Sequence, residues 1–189
     1  MSEPRTDLER LREVALDQHG FVTTAQALES GVSDASLAMM VRRDRLERVA
    51  HGVYRVSQVP VTQDEPFMLA VLWTGVPEAC LSHETALAVR ELSDINPTAI
   101  HVTVARRRRI QRAGGEGYVL HREDLTPDQM TWWHQIPIVT IAVAISQCIT
   151  SGVPTYLIRQ AIEQASATGD LLHAERAALT DRLEARHVH

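Results

Sequence analysis

The 189-residue chain contains no lysine; all 19 of its basic residues are arginine. A phosphate loop of the Gly-x-x-x-x-Gly-Lys type therefore cannot be completed. Two cysteines, Cys80 and Cys148, are too few for a disulfide framework or a four-cysteine zinc site. No apolar run reaches the roughly 18 to 20 residues that cross a bilayer. The opening Met1-Ser2-Glu3-Pro4-Arg5-Thr6-Asp7 has no apolar signal core. The expectation is a cytoplasmic protein with no membrane partner. Gly-x-Ser-x-Gly, His-Glu-x-x-His and Cys-x-x-Cys are also absent, as are internal repeats and low-complexity tracts.

Hydrophobic residues make up 44% of the chain and charged residues 23%, the balance of a folded globular protein. A net charge of −5 excludes a uniformly basic nucleic-acid coat. The arginine bias covers the whole chain and so locates no site, but the local balance is uneven. Ser36 to Arg55 carries five arginines against Asp44 and Glu47, and Arg90 to Arg122 carries seven against three acids. From Glu123 onward, four arginines face eight acids. Two basic zones precede an acidic one, a pattern that suits partners of different sign.

The first zone lies in a helix-turn-helix pattern. Thr6-Asp7-Leu8-Glu9 is a capping box, and Leu8, Leu11, Val14 and Ala15 recur at helical spacing. This predicts a first helix from Asp7 to about Gln18, closed near Gly20. Thr24 is positioned to cap a short second helix from Ala25 to about Ser30, stopped by Gly31. Ser33 is a strong N-cap for a third, Asp34 to about Arg43. Ala27, Leu28, Val32, Leu37, Met40 and Val41 are the expected inward positions. The runs Leu46–Ala50 and Val53–Val56 flank His51-Gly52 and predict a β-hairpin, the wing of a winged helix.

That order fits DNA. The third helix would enter the major groove with its N-terminal residues nearest the bases, so Ser33, Asp34, Ser36 and Met39 are the candidate base contacts, with Thr24 at the start of the second helix. Arg42, Arg43, Arg45, Arg48 and Arg55 would hold phosphates, and His51 sits at the wing tip. A winged helix that docks a protein is the competing reading.

A two-proline link, Val59 to Pro66, places a boundary after residue 61. Residues 62–189 read as a mixed α/β domain, which makes the fold class α+β. An apolar helix spans Phe67 to Trp73, and Ser82 can cap a helix from His83 to about Arg90. Strands are expected at Ile100–Val104, at Tyr118–His121, which pairs with the first across a turn at Gly114–Gly117, and at Ile136–Val139. Helices are expected from Ile141 to Ile149, Tyr156 to Ala167, and Leu171 to about Glu184. Arg106, Arg107, Arg108 and Arg109 have three readings: an extension of the DNA footprint, a contact to RNA or an acidic protein, or a solvated hairpin loop. His83, His101, His121 and His134, with Glu84 and Asp124, invite a metal-dependent hydrolase, but no pair has ligand spacing. Neither a metal, a cofactor nor catalysis is expected. Trp132-Trp133 suits core plus rim better than base stacking, and His187 and His189 read as tail residues.

Phe21-Val-Thr-Thr-Ala-Gln-Ala-Leu-Glu-Ser-Gly-Val-Ser through Leu37, Val41-Arg42-Arg43, Leu46-Glu47-Arg48-Val49 and Gly52-Val53-Tyr54-Arg55 resemble the N-terminal winged helix of the AbiEi antitoxins. These are the regulatory halves of type IV toxin–antitoxin operons. A weaker pattern continues through Leu81–Ala88, Ile100–Val104, Val119–Arg122 and Ile136–Thr140. The resemblance implies an autoregulating repressor that binds upstream inverted repeats in double-stranded DNA, self-associates there and counteracts a nucleotidyltransferase toxin. Asp34 and Met39 depart from the basic or polar residues common in such helices. Asp34 can accept from a cytosine amino group or favour the helix N-terminus.

Overall fold

The computed structural model describes residues 5–186. Met1–Pro4 and the tail histidines His187 and His189 lie outside the described residues. The chain divides into two compact units. The first comprises the chain up to Pro77 together with Arg109–Glu116 and His134–Ile136. The second comprises Glu78–Arg108, Gly117–Trp133 and the chain from Pro137 onward.

The first unit is a winged helix-turn-helix. Helix α1 (Asp7–Leu16) starts in the expected capping box: Glu9 N donates to Thr6 Oγ1 and Thr6 N donates to Glu9 Oε2 at 2.7 Å. It ends two residues earlier than expected, and Gly20 at φ 90° turns the chain into β1 (Phe21–Thr23). Helix α2 (Thr24–Glu29) is capped by Thr23, not by Thr24. Thr23 accepts from Gln26 N and its own N–H donates to Gln26 Oε1 at 3.0 Å, a second reciprocal box. Gly31 at φ 76° and Ser33, whose Oγ accepts from Ser36 N, set the turn into α3 (Asp34–Arg42).

Strands β2 (Leu46–Ala50) and β3 (Val53–Val56) form the wing, joined by His51-Gly52 with Gly52 at φ 69°. The three-stranded sheet runs β1-β3-β2 with both pairings antiparallel. Leu11, Ala15, Val22, Ala27, Val32, Leu37, Met40, Leu46, Val56 and Val59 form one core cluster. Of the inward positions read from the sequence, Leu28 is the exception at 51% exposed. Helix α2 makes fewer than two turns and buries only Ala27. Helix α4 (Glu65–Trp73) completes the unit and stops at Gly75, φ 66°.

The second unit is built on a five-stranded mixed sheet, order β6-β5-β4-β8-β7. Strand β4 (Cys80–Leu81) leads to α5 (His83–Ala88); β5 (Ile100–Val104) pairs antiparallel with β4 and parallel with β6 (Tyr118–Arg122). The parallel register, Ile100 opposite Tyr118 through Val104 opposite Arg122, overturns the hairpin expected around the arginine run. A parallel pair needs a connection that returns along the strand, and residues 105–117 are that return. A short strand not foreseen, β7 (Met130–Trp133), reaches β8 (Ile136–Val139) through His134 and Gln135, both at positive φ. Helices α6 (Ile141–Ser151), α7 (Thr155–Ala167) and α8 (His173–Ala185) close the unit.

Candidate nucleic-acid interface

Helix α3 divides cleanly into two faces. Leu37 and Met40 are buried and Val41 half-buried; Ala35, Ala38, Met39 and Arg42 are exposed. Those four stand at i, i+3, i+4 and i+7, one stripe opposite the core. The buried stripe packs the helix on the core of the first unit, and the exposed one faces away from that core.

Four of the five arginines assigned to phosphates lie at the C-terminal end of this helix and on the wing. Arg42 and Arg43 end α3, Arg45 follows the turn, and Arg48 rises on the wing; all four are exposed. Among the described residues none of them meets a carboxylate within ion-pair distance. Arg48 Nη2 lies 3.5 Å from His51 Nδ1 at the exposed wing tip. Thr24 joins the same edge: its N–H donates to Gly52 O at 2.9 Å, which ties the start of α2 to the wing turn.

Arg55 is different. Its Nε and Nη2 donate to Glu65 Oε1 at 3.1 and 2.8 Å, and Nη2 also donates to Val59 O at 3.0 Å. Only 14% of its side chain is exposed. The guanidinium therefore joins β3 to α4 and is engaged before any phosphate could reach it. Sequence spacing put it with the other four because a strand-end arginine looks the same whether its partner is water or a distant glutamate. Ser36 also differs from its expected place. It lies half-buried at the side of α3, and its Oγ donates to Asp7, which also binds Arg10. Ser33 and Asp34 are exposed at the start of the helix, Ser33 serving as its cap. Sequence reasoning passed over Ala35 and Ala38; the signal was available in their helical phase against Leu37 and Val41.

The wing turn has a second support within the first unit. Arg112 Nη1 donates to His51 O and to Trp73 O, each at 3.0 Å, and Trp73 Nε1 donates to Ala113 O at 2.8 Å. A Cβ on Gly75 would stand 2.1 Å from Arg112 Nη2, and one on Gly115 would stand 2.5 Å from the Trp73 ring. Glycine is what lets both groups lie this close.

The arginine run is divided, with Arg109 in the first unit and Arg106 to Arg108 in the second. Arg108 binds Glu78 with Nε at 2.6 Å and Nη2 at 2.9 Å, and Arg107 reaches the same carboxylate at 2.9 Å. These contacts hold the Glu78 carboxyl below its ordinary value, chiefly through the Arg108 hydrogen bond. Arg106 and Arg109 are exposed.

The histidines of this unit are partly gathered. His101 Nε2 lies 3.1 Å from Glu84 Oε2, and His121 Nε2 lies 3.1 Å from His101 Nδ1. With the rings neutral, His101 Nε2–H donates to Glu84, which leaves Nδ1 to accept from His121. His83 stacks on His121 with centroids 3.4 Å apart, and its Nδ1 lies 3.0 Å from Ser82 Oγ. So the Ser82 hydroxyl faces an imidazole instead of capping a backbone N–H. Burial pushes His83 down to about 3, aided by its two neighbours, and pushes His121 down to about 4. His101 is lowered by the same burial, against the pull of Glu84. His134 lies apart, in the first unit, with Nδ1 2.8 Å from Asp64 Oδ2.

Among the described residues no group of three or more His, Cys, Asp or Glu side chains is arranged to hold a metal. Cys80 and Cys148 are buried thiols pushed up to about 12, chiefly by burial, and are not thiolate nucleophiles at neutral pH. Of the tryptophan pair, Trp132 is 70% exposed and Trp133 half-buried. Among the described residues no helix is long and apolar enough to cross a membrane.

Residues 9–57 match the family model described as transcriptional regulator, AbiEi antitoxin. The matched segment runs from α1 to just past β3. The comparison with curated proteins gives no match. Among solved structures, the chain is similar to the crystal structure of the RV2827C protein from Mycobacterium tuberculosis. The likeness has 13% identity and a TM-score of 0.44, covering 96% of this chain and 83% of that one.

Proposed function

We propose, from the match of residues 9–57 to the AbiEi antitoxin transcriptional regulators, that this chain is a DNA-binding repressor of antitoxin type. Residues 1–61 are its DNA-binding part and residues 62–189 its antitoxin-type part, with no catalytic role. It binds repeats upstream of its own operon, self-associates on them, and counteracts a nucleotidyltransferase toxin. The observation that carries the DNA reading is the set Arg42, Arg43, Arg45 and Arg48 at the end of α3 and on the wing, exposed and, among the described residues, without a carboxylate within ion-pair distance. An arginine already neutralised by an acid gains little from a phosphate; four unneutralised ones release counterions when they bind one.

In this reading α3 lies in the major groove and the wing follows the backbone. Arg42, Arg43, Arg45 and Arg48 set register through phosphates, as does His51 at the wing tip. Thr24 supports the wing turn. A protein bound over a promoter in this way excludes polymerase without any chemistry of its own.

The test is fluorescence anisotropy with the duplex upstream of the gene against a scrambled duplex, at two salt concentrations. Tight, selective and salt-steep binding is expected. Binding that neither prefers the upstream duplex nor weakens with salt would transfer the winged helix to protein docking.

A further inference from the structure

Three of the four side chains on the stripe that α3 turns outward carry almost no hydrogen-bonding capacity. Ala35 and Ala38 have none, and Met39, 40% exposed, offers only a thioether. The two hydroxyls at this end of the helix are engaged, Ser33 as the cap and Ser36 on Asp7. Arg42 closes the stripe at its C-terminal end, and Asp34 stands at its first turn beside the cap. A helix that reads guanine or adenine edges needs bidentate donors and acceptors at these positions, and they are missing. The major groove offers one apolar group on its base edges, the C5-methyl of thymine.

We propose that α3 selects its duplex through thymine C5-methyl groups packed against Ala35, Ala38 and Met39. The inference rests on the DNA-binding reading above. The arginines at the end of α3 and on the wing argue for this occupant over an apolar protein surface, because a cationic rim beside the helix complements backbone phosphates. Two alanines also let the helix backbone approach the base edges closely, which van der Waals contact with a methyl requires. Selectivity then comes from shape and methyl placement, while affinity comes from the rim.

The experiment uses the full chain. Binding to a randomised duplex pool first yields a preferred sequence, and its thymines are then replaced singly by deoxyuridine. That change deletes one methyl and leaves charge and pairing intact. Enrichment of thymine in the pool is expected, with a loss of about fourfold per contacted methyl, the worth of one buried carbon. The salt slope should be unchanged. Met39→Ala, at an exposed position, should abolish the response at one thymine and leave the others.

If the preferred duplex binds selectively but deoxyuridine costs nothing at any position, the methyl inference falls and the DNA reading stands. If the pool shows no enrichment and binding has no salt slope, both fall together.

Discussion

Arg112 and His51 are joined by a 3.0 Å hydrogen bond from a guanidinium to the carbonyl at the wing tip, across 61 positions of sequence. The same Nη1 holds Trp73 O, so one side chain ties the wing turn to the end of α4. Arg112→Ala should lower unfolding free energy by about 1 to 2 kcal/mol, the worth of charged hydrogen bonds to backbone at a partly exposed site. Gly75→Ala should cost more in the native background, since its Cβ would stand 2.1 Å from Nη2 in a left-handed backbone. In the Arg112→Ala background only the left-handed strain, roughly 1 to 2 kcal/mol, should remain. Urea denaturation of the two single variants and the double variant measures the coupling. Strictly additive costs would show that the guanidinium does not occupy that space in solution.

Arg43 and Arg55 should separate phosphate contact from structure. Arg43→Ala is expected to weaken binding to all duplexes alike and to reduce the slope of log affinity against log salt by about 0.9. Arg42→Ala, Arg45→Ala and Arg48→Ala should each do the same. Arg55→Ala removes the partner of Glu65 at a site 14% exposed, and it should lower the melting temperature while leaving the salt slope unchanged. Paired titrations and melts test this. A slope change for Arg55→Ala equal to that of Arg43→Ala would return Arg55 to the phosphate set.

Ser36→Ala offers a sharper contrast. Its hydroxyl donates to Asp7 on α1, so the variant should lose about 1 kcal/mol of stability and keep its base preference. Selection from a randomised duplex pool, run beside a thermal melt, checks both halves. A changed preference at unchanged stability would place Ser36 at the bases after all.

The winged helix was legible because its signals are local. The Thr6–Glu9 box, Ser33, Gly31 and Gly52 each act within a few residues, and each appears where the sequence puts it. Thr23 and Thr24 are equivalent in composition, and only Gln26, three residues after Thr23, decides between them. What escaped was long-range. Arg55 with Glu65, Ser36 with Asp7 and Arg108 with Glu78 are pairings that no periodicity announces. The β5–β6 pair was expected, but its parallel direction was not. Period-two alternation carries no information about strand polarity. His83, His101 and His121 were three of four scattered histidines until the sheet put His101 and His121 on adjacent strands, two positions apart in register.

That cluster should make the second unit acid-sensitive. His83 and His121 are held to about 3 and about 4 by burial, against 6.5 for the ordinary side chain. The folded state therefore keeps them neutral where the unfolded chain would take up protons. Stability contributed by the neutral rings is complete above about pH 6.5 and is lost as pH falls toward 4 and below. The slope reaches at most about 1.4 kcal/mol per pH unit for each histidine. Denaturation of the intact chain between pH 7.5 and 4.5 should show this fall. His121→Gln keeps a donor toward His101 and removes one titrating ring, and it should flatten the profile. An identical profile in that variant would mean that other groups, not the stacked pair, control the acid limb.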